Sequence, residues 1–221
     1  MSQAYIIHQY PYRDDAVILK LLSVETGFMT AMAKGIKKSR WQGLLRAFTG
    51  LHIEYAAQGE MPRIKLLEAE GISFHFTGAK LYAALYLNEL LMRFFATAES
   101  HPEIFIYYQE ALAQLEAGEV EPALRHFELN LLAALGYAPP LVYDETHHPL
   151  EDEWLYQLLP GALPKKTTTT GVSVYKGVEL KKIAAQEWSD PKTRLAAKRL
   201  MRAWIAHYTH GKPFRTRQLY V

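Results

Sequence analysis

The spacing of apolar residues changes once along this 221-residue chain, near Gly78, and the change divides the sequence into two kinds of structure. Before it, short apolar or alternating runs are separated by turn residues, a pattern that predicts β-strands. Five short strands are too few for a large sandwich, so the first 80 residues predict a small closed or nearly closed β-barrel, in which closure removes exposed edges. The runs lie at 17–19, 21–22, 28–32, 51–57 and 64–69.

After Gly78 the apolar residues follow helical spacing, and glycines end several of the segments. Asp190 and Pro191 supply a helix cap and a first-turn proline, so a last helix is predicted from there to about Tyr208. The sequence therefore predicts an α+β protein with a barrel domain, 1–80, and a mostly helical domain, 81–221. The other predicted helices lie at 81–95, 103–115 and 122–135, and the least regular part is 141–178.

Charge is distributed unevenly along the chain, although the net charge is only +2. Residues 1–80 carry a net +3, residues 81–164 a net −11 and residues 165–221 a net +10. Such asymmetry indicates a polyanionic partner for the two basic parts. For any single cluster, an ordinary solvated face is an equal alternative.

The usual enzyme signatures are missing. The chain has no cysteine, which excludes disulfides, thiolate zinc sites and cysteine nucleophiles, and it has no Gly-x-Ser-x-Gly or His-Glu-x-x-His motif. A glycine-led segment ending at Lys166 and Thr167 lacks the second glycine of a phosphate loop. We therefore expect a protein that is not an enzyme and needs no cofactor or metal. A metal-dependent nuclease built on the acidic residues 151–153 is an open alternative.

Nothing in the sequence indicates a membrane segment. The longest stretch without a charged residue is 15 residues, 129–143, whereas a bilayer needs about 20 apolar residues. The first residues also lack the pattern of a secretory signal peptide. We expect a cytoplasmic protein, associated with the nucleoid.

A basic loop is predicted directly after the third apolar run. Four cations fall within seven residues, and an aromatic residue follows them. In a small barrel, such a loop suits single-stranded nucleic acid, because the charges follow the phosphates while a ring stacks on the bases. The aromatic residue has core packing as an equal alternative. The residues are Lys34, Lys37, Lys38, Arg40 and Trp41.

The last helix is a second basic feature. Arg194, Lys198 and Arg202 repeat every four residues and form one positive stripe, with Lys192 and Arg199 beside it and an apolar surface opposite. No acidic residue follows Asp190, so no acidic neighbour one turn along the helix relieves the repulsion. A generic solvated face remains the alternative. Three further cations extend the charge toward the chain end, namely Lys212, Arg215 and Arg217.

Four segments of the chain, taken in sequence order, resemble motifs of the bacterial RecO family of recombination mediators. They are 16–40, the Asn88-Glu89-Leu90 segment, 197–202 and the closing Gly-Lys-Pro-Phe-Arg-Thr-Arg-Gln-Leu at 211–219, where the familiar form has serine in place of Thr216. The resemblance covers nearly the whole chain. It implies an N-terminal OB-fold, a helical C-terminal domain and a role in recombinational repair.

The resemblance also implies partners. RecO-like proteins bind single- and double-stranded DNA, anneal complementary strands, and work with RecR and the C-terminal tail of single-stranded DNA-binding protein to load RecA. For that acidic tail, Arg125 is a candidate receptor, because it is one of two cations in the acidic segment. Many members carry a four-cysteine zinc module at a place corresponding to about 143–170, which we expect here as a metal-free remnant. A different class of function also stays open, a scaffold whose acidic helical segment docks a basic protein.

Overall fold

The computed structural model describes residues 2–36, 40–56, 61–95 and 101–218. Two compact units emerge, one made of Met1–Val120 with Phe214–Val221 and the other of Glu121–Pro213. None of the helices within the described ranges is both long and apolar enough to cross a bilayer.

Five strands of the first unit form a closed barrel in the order β1-β2-β3-β5-β4. All neighbouring pairs are antiparallel except β3 and β5, whose parallel pairing of Met32 with Arg63 closes the ring. The predicted fold class, a small OB-like barrel followed by helices, is confirmed. The strands are β1 (Ser2–Pro11), β2 (Ala16–Ser23), β3 (Gly27–Lys34), β4 (Leu51–Ala56) and β5 (Arg63–Ala69).

The identity of two strands differs from the sequence prediction. The runs 17–19 and 21–22 form one strand, β2, because Lys20 between them faces outward and its ammonium donates to the Thr30 hydroxyl at 2.8 Å. The fifth strand is β1, which the sequence pattern does not predict. Its residues 4–7 are all buried, so the strand lacks the alternation that marks a strand with one wet face.

Alternation in the other strands places the barrel core. Leu19, Leu21, Ala31 and Leu67 are fully buried inside the ring, together with a larger cluster of apolar residues. Burying each large aliphatic side chain stabilises the fold by about 1.5–3 kcal/mol before entropy is subtracted. The inside of the barrel is therefore a packed core, and any binding surface has to lie on its outside or its loops.

Two helices cover part of the outside of the barrel. Helix α1 (Gly78–Phe94) packs against β1, and α2 (Pro102–Ala117) packs against β2 and β3. Asn88 ties the layers together, since its amide donates to the Ile7 carbonyl at 3.0 Å and its amide oxygen accepts from the Tyr108 hydroxyl at 2.6 Å. A short helix, α6 (Arg215–Gln218), also packs on α1.

The second unit is built from helices and one small sheet. It contains nearly all of α3 (Val120–Ala134), followed by α4 (Gly177–Ala184) and α5 (Pro191–Tyr208). The segment 141–178, predicted to be irregular, contains three-residue strands β6 (Leu155–Gln157), β7 (Lys165–Thr167) and β8 (Val174–Lys176), in the order β7-β6-β8. Strands this short give no readable periodicity, which explains why the sequence did not predict them.

Four of the helices were predicted to within three residues at each end, namely α1, α2, α3 and α5. The change from strands to helices also lies where it was predicted, since β5 ends at Ala69 and α1 begins at Gly78. The first compact unit nevertheless includes α1 and α2 with the barrel. A domain division at residue 80 stays a prediction.

Candidate nucleic-acid interface

The barrel contributes the first predicted basic surface. Lys34 ends β3 with its side chain exposed, and Gly35 follows at φ +75°, where its N–H donates to the Asp15 carbonyl at 2.8 Å. A left-handed backbone of this kind suits glycine, and Ile36 directly after it packs in the barrel core. Lys37 and Lys38 lie outside the described residues, and so does the side chain of Arg40, which begins a short 3-10 helix.

Trp41 lies on that 3-10 helix and is half-buried. Its side chain packs against the barrel core beside Leu44 and Leu45. This position favours the core alternative for most of the ring and leaves part of its surface to solvent. A stacking role for Trp41 stays a prediction.

The second predicted surface is built on α5. The Asp190 carboxylate accepts from the Lys192 N–H at 2.9 Å, and Pro191 follows as the first helical residue, so the helix begins as the sequence predicts. The apolar side of the helix is buried, as Leu200, Met201 and Trp204 show. Burial of one side fixes which side chains remain at the surface.

The five cations of α5 have different surroundings. Lys192 and Arg202 are exposed. Arg194 donates to the carbonyls of Trp188 and Ser189, at 2.6 and 3.1 Å. Arg199 donates to the Val174 carbonyl at 3.1 Å, and its guanidinium lies 4.8 Å from the centre of the Tyr175 ring.

Lys198 is the α5 cation with a carboxylate partner in the described part of the chain. Its ammonium lies 2.9 Å from Glu121 of α3, and both side chains are at least 40% exposed. The hydrogen bond from Lys198 is the main cause that lowers the pKa of Glu121. The sequence did not reveal this pair, because Glu121 lies 77 positions away and no local spacing connects the two residues.

Carbonyl oxygens and an aromatic ring carry no net charge, so they orient Arg194 and Arg199 without cancelling their positive charge. Exposed ion pairs such as Lys198–Glu121 are worth about 0–1 kcal/mol and weaken with salt. The helix therefore presents a positive surface to solvent even though two of its guanidinium groups are held in place. Held side chains also lose less rotamer entropy when they bind a ligand.

Other lysines of the basic C-terminal segment pair with acidic residues of the same unit. The distances are between 2.5 and 3.7 Å, and most of the partners come from the acidic part of the sequence. Part of the charge asymmetry is thus neutralised inside the second unit. The pairs are Lys165–Glu145, Lys166–Glu151, Lys181–Asp152 and Lys182–Asp190.

The basic tail is divided between the two units, since Lys212 belongs to the second unit and the residues from Phe214 onward belong to the first, with the barrel. Phe214 is buried, with its ring 5.3 Å from that of Tyr86 and 4.9 Å from the Arg93 guanidinium. Lys212 and Arg215 are exposed, whereas the side chain of Arg217 lies outside the described residues. An extension of the α5 surface through Lys212, Arg215 and Arg217 stays a prediction.

Glu89 of α1 holds this tail in place. Its carboxylate accepts from the N–H groups of Arg215 and Thr216, at 2.9 and 3.0 Å, and from the Thr216 hydroxyl at 2.8 Å. Burial alone raises the pKa of Glu89, but these bonds and one from Arg93 outweigh burial and lower it. Glu89 and Thr216 lie in two of the segments that resemble the RecO family, and the structure places them in contact.

Arg125, the predicted receptor for an acidic tail, is largely buried. Its side chain is only 8% exposed, and its guanidinium lies 2.8 Å from the fully buried carboxylate of Glu128. A role of Arg125 as the receptor stays a prediction.

The region corresponding to a zinc module has no donor set for zinc. It lacks cysteine, and the described residues contain no group of three or more metal-ligating side chains. The turn there is instead closed by Asp144, whose carboxylate accepts from the N–H groups of Thr146 and His148 and from the Thr146 hydroxyl. The residues present do not fit a zinc ion.

The comparisons with known proteins agree with this architecture. Residues 1–72 match the family model described as Recombination protein O N terminal, and residues 75–218 match Recombination protein O C terminal. The chain belongs to the RecO family. It is 37% identical over 218 residues to the DNA repair protein RecO of Pseudomonas paraeruginosa (strain DSM 24068 / PA7), covering 98% of this chain and 93% of that protein.

Two further RecO-family relatives show the same extent of similarity. The DNA repair protein RecO of Pseudoalteromonas atlantica is 34% identical, with 98% of this chain and 92% of the relative covered. That of Methylococcus capsulatus is also 34% identical, with 100% and 92% covered. Similarity over nearly the full length of both chains includes the barrel, the helices and the basic tail.

Proposed function

We propose that this RecO-family chain is a DNA-binding recombination mediator of the cytoplasm. It binds single- and double-stranded DNA, anneals complementary strands, and helps to load RecA onto single strands covered by single-stranded DNA-binding protein. RecR and the C-terminal tail of single-stranded DNA-binding protein are its proposed protein partners. The observation that carries the proposal is the positive surface of α5, where four of five cations have no carboxylate partner among the described residues.

Annealing of this kind requires no covalent step. Two single strands repel each other through their phosphates, and a protein that neutralises both backbones lowers that barrier. The barrel loop near Lys34 would hold one strand and α5 the other, while the base edges stay free to pair. Contacts to phosphates are indifferent to sequence and release counterions, so binding should weaken steeply with salt.

Ion pairs within the second unit bear on the two alternative hypotheses, a scaffold and a nuclease. A basic partner of a scaffold would have to compete with lysines of the same unit, because the surface carboxylates of Glu121, Glu145, Glu151 and Asp152 each already lie beside one. Two of these, Glu151 and Asp152, are also the residues that a nuclease would need for metal binding. Neither alternative has a specific observation in its favour.

Fluorescence anisotropy of labelled single-stranded and duplex DNA, titrated with salt, tests the proposal. The double variant Lys37→Glu with Lys38→Glu should weaken binding of every sequence alike, by roughly tenfold or more at low salt, with a shallower salt dependence. The matched control carries two charge reversals outside both surfaces, Lys80→Glu and Lys165→Glu. If both variants bind equally well, the barrel loop is not a DNA surface.

A loading assay tests the finer role. RecA filament growth on single strands pre-covered with single-stranded DNA-binding protein should accelerate when this chain and RecR are both present. The same mixture with a single-stranded DNA-binding protein that lacks its acidic tail should show no acceleration. Equal acceleration with the tail-less protein would remove the tail from the proposed partners.

A further inference from the structure

The part of the basic tail that belongs to the first unit, residues 214–218, is held by an acidic residue. This tail segment contains two arginines and no aspartate or glutamate. The carboxylate of Glu89 nevertheless accepts three hydrogen bonds from it, from the N–H groups of Arg215 and Thr216 and from the Thr216 hydroxyl. A carboxylate repels a phosphate, so an acid at the centre of a proposed DNA surface calls for a physical explanation.

The surroundings of Glu89 compensate its negative charge. Its side chain is 15% exposed, and one carboxylate oxygen lies 3.1 Å from the Arg93 guanidinium. The two backbone N–H groups and the hydroxyl direct three more hydrogens at the same carboxylate. A carboxylate compensated in this way opposes an approaching phosphate much less than a free one does.

Phe214 is a second point of attachment for the tail segment. Its ring is buried, 5.3 Å from the ring of Tyr86 and 4.9 Å from the Arg93 guanidinium. Arg93 therefore contacts both the Glu89 carboxylate and the Phe214 ring, which joins the two attachments into one cluster. We call Tyr86, Glu89, Arg93, Phe214 and Thr216 the tail anchor.

The tail anchor leaves Arg215 at the surface. Arg215 lies between Phe214 and Thr216, whose side chains are both buried, while its own side chain is exposed. Ordering a free segment costs conformational entropy at every residue, and binding bears that cost when the segment is ordered only by its ligand. Because the tail segment is already ordered, the Arg215 guanidinium can bind a phosphate with a smaller loss of entropy.

We infer that Glu89 is a positioning residue for DNA binding: it orders the tail segment so that Arg215 contacts a backbone phosphate of single- or double-stranded DNA. This inference rests on the proposed function and adds the contact that makes the tail segment part of the DNA surface. It also reverses the sign that charge alone would give. Removal of the negative charge of Glu89 weakens DNA binding, whereas removal of an exposed acid elsewhere strengthens it or leaves it unchanged.

Two other roles of Glu89 lead to different expectations. If only its charge matters, neutralising it strengthens the binding of a polyanion. If the tail anchor serves stability alone, release of the tail segment leaves DNA binding unchanged. The direction of the change in affinity therefore separates the three roles.

Salt-titrated anisotropy of labelled single-stranded and duplex DNA tests the inference. Glu89→Gln should weaken binding of both about three- to tenfold and make the salt dependence shallower by about one unit of slope, which corresponds to one lost phosphate contact. Glu116→Gln is the matched control, because it removes the same charge from an exposed position on α2 of the same unit. This control should bind DNA as well as the unsubstituted protein or slightly better.

Variants in the tail segment test the anchor without removing an acid. Thr216→Val removes the hydroxyl donor to Glu89 and should weaken DNA binding about twofold, whereas Thr216→Ser keeps the donor and should bind like the unsubstituted protein. Phe214→Ala opens the second attachment and should change the salt dependence in the same direction as Glu89→Gln.

A double-mutant cycle with Arg215→Gln decides whether Glu89 acts through Arg215. Arg215→Gln alone should weaken DNA binding and reduce the slope of the salt dependence by about one unit. Adding Glu89→Gln to Arg215→Gln should then cause at most about a twofold further loss, because the two residues act as a pair. Hydrogen exchange at the Thr216 amide checks that Glu89→Gln releases the tail segment, and thermal unfolding checks that each variant is folded.

Each remaining outcome overturns the inference. Tighter binding by Glu89→Gln would show that charge alone matters, and unchanged binding with a released tail segment would restrict the tail anchor to stability. Unchanged exchange at Thr216 in Glu89→Gln would remove Glu89 from the anchor, and a full further loss in the Arg215→Gln background would mean that Glu89 does not act through Arg215. If the unsubstituted protein binds no DNA, the proposed function fails as well, whereas intact binding with an indifferent Arg215→Gln overturns the tail contact alone.

Discussion

At the scale of single residues, Glu89 shows how one carboxylate fixes the end of a chain. It accepts two backbone N–H groups and one hydroxyl from the tail while its side chain is only 15% exposed. Glu89→Gln removes the charge and turns an amide NH₂ toward those donors. We expect the free energy of detaching the tail to fall by about 2 kcal/mol, which raises the equilibrium constant for detachment roughly 30-fold. Hydrogen exchange at the amides of Arg215 and Thr216 measures this directly.

The same contact predicts a pH dependence. The pKa of Glu89 is lowered in the folded protein from its ordinary value of 4.5, so its contribution to stability is fully present above that pH. The contribution is lost as the pH falls below 4.5 and through the pKa of Glu89 in the folded protein, because protonation removes the negative charge that strengthens these hydrogen bonds. The difference in exchange rate between the unsubstituted protein and the Glu89→Gln variant should therefore shrink in acid. A difference that persists undiminished at low pH would contradict the assignment.

Arg125 marks the limit of prediction at this scale. Its rarity in an acidic segment suggested a receptor, but it did not reveal that the guanidinium lies beside the buried carboxylate of Glu128. Rarity along the sequence says nothing about which carboxylate lies beside a cation in space. By contrast, the Asp190 cap was predictable, because the cap and the N–H it accepts lie two residues apart.

At the scale of elements, α5 leads to a prediction in which removing an acid strengthens binding. Glu121 neutralises Lys198 through an exposed ion pair, and DNA has to compete with this carboxylate. Glu121→Gln should therefore raise the affinity for DNA about two- to fivefold at low salt, with little effect on the free energy of unfolding. Salt-titrated anisotropy checks the affinity. As a matched control, Glu179→Gln removes one negative charge from α4 and should have a smaller effect; equal gains would make the effect one of net charge alone.

Elements were predictable where a pattern repeats over enough residues. Each of the four predicted helices has at least four turns with one buried side, so its periodicity is visible in the sequence. Strand β1 and the sheet β7-β6-β8 were missed for opposite reasons. The first is buried on both faces over residues 4–7, and the second consists of strands of three residues.

At the scale of the whole molecule, the closed barrel followed by helices was predictable, but the path of the tail was not. The tail returns to the first unit through Phe214 and the Glu89 contacts, which join residues more than 120 positions apart. The charge pattern predicted basic surfaces without revealing which lysines are neutralised nearby. Long-range pairing is therefore the information that the sequence alone did not supply.

Annealing by two surfaces predicts a result that binding by one surface does not. If the barrel and α5 each hold one strand, loss of either surface should stop annealing while the remaining surface still binds a single strand. We expect Lys37→Glu with Lys38→Glu, and separately Lys192→Glu with Arg202→Glu, each to slow annealing of complementary oligonucleotides at least about tenfold. Affinity for one strand should fall less in either variant, and only the combined variant should lose it. Stopped-flow fluorescence of a donor- and acceptor-labelled pair measures the rate, and a rate that falls only in proportion to affinity would show that one surface suffices.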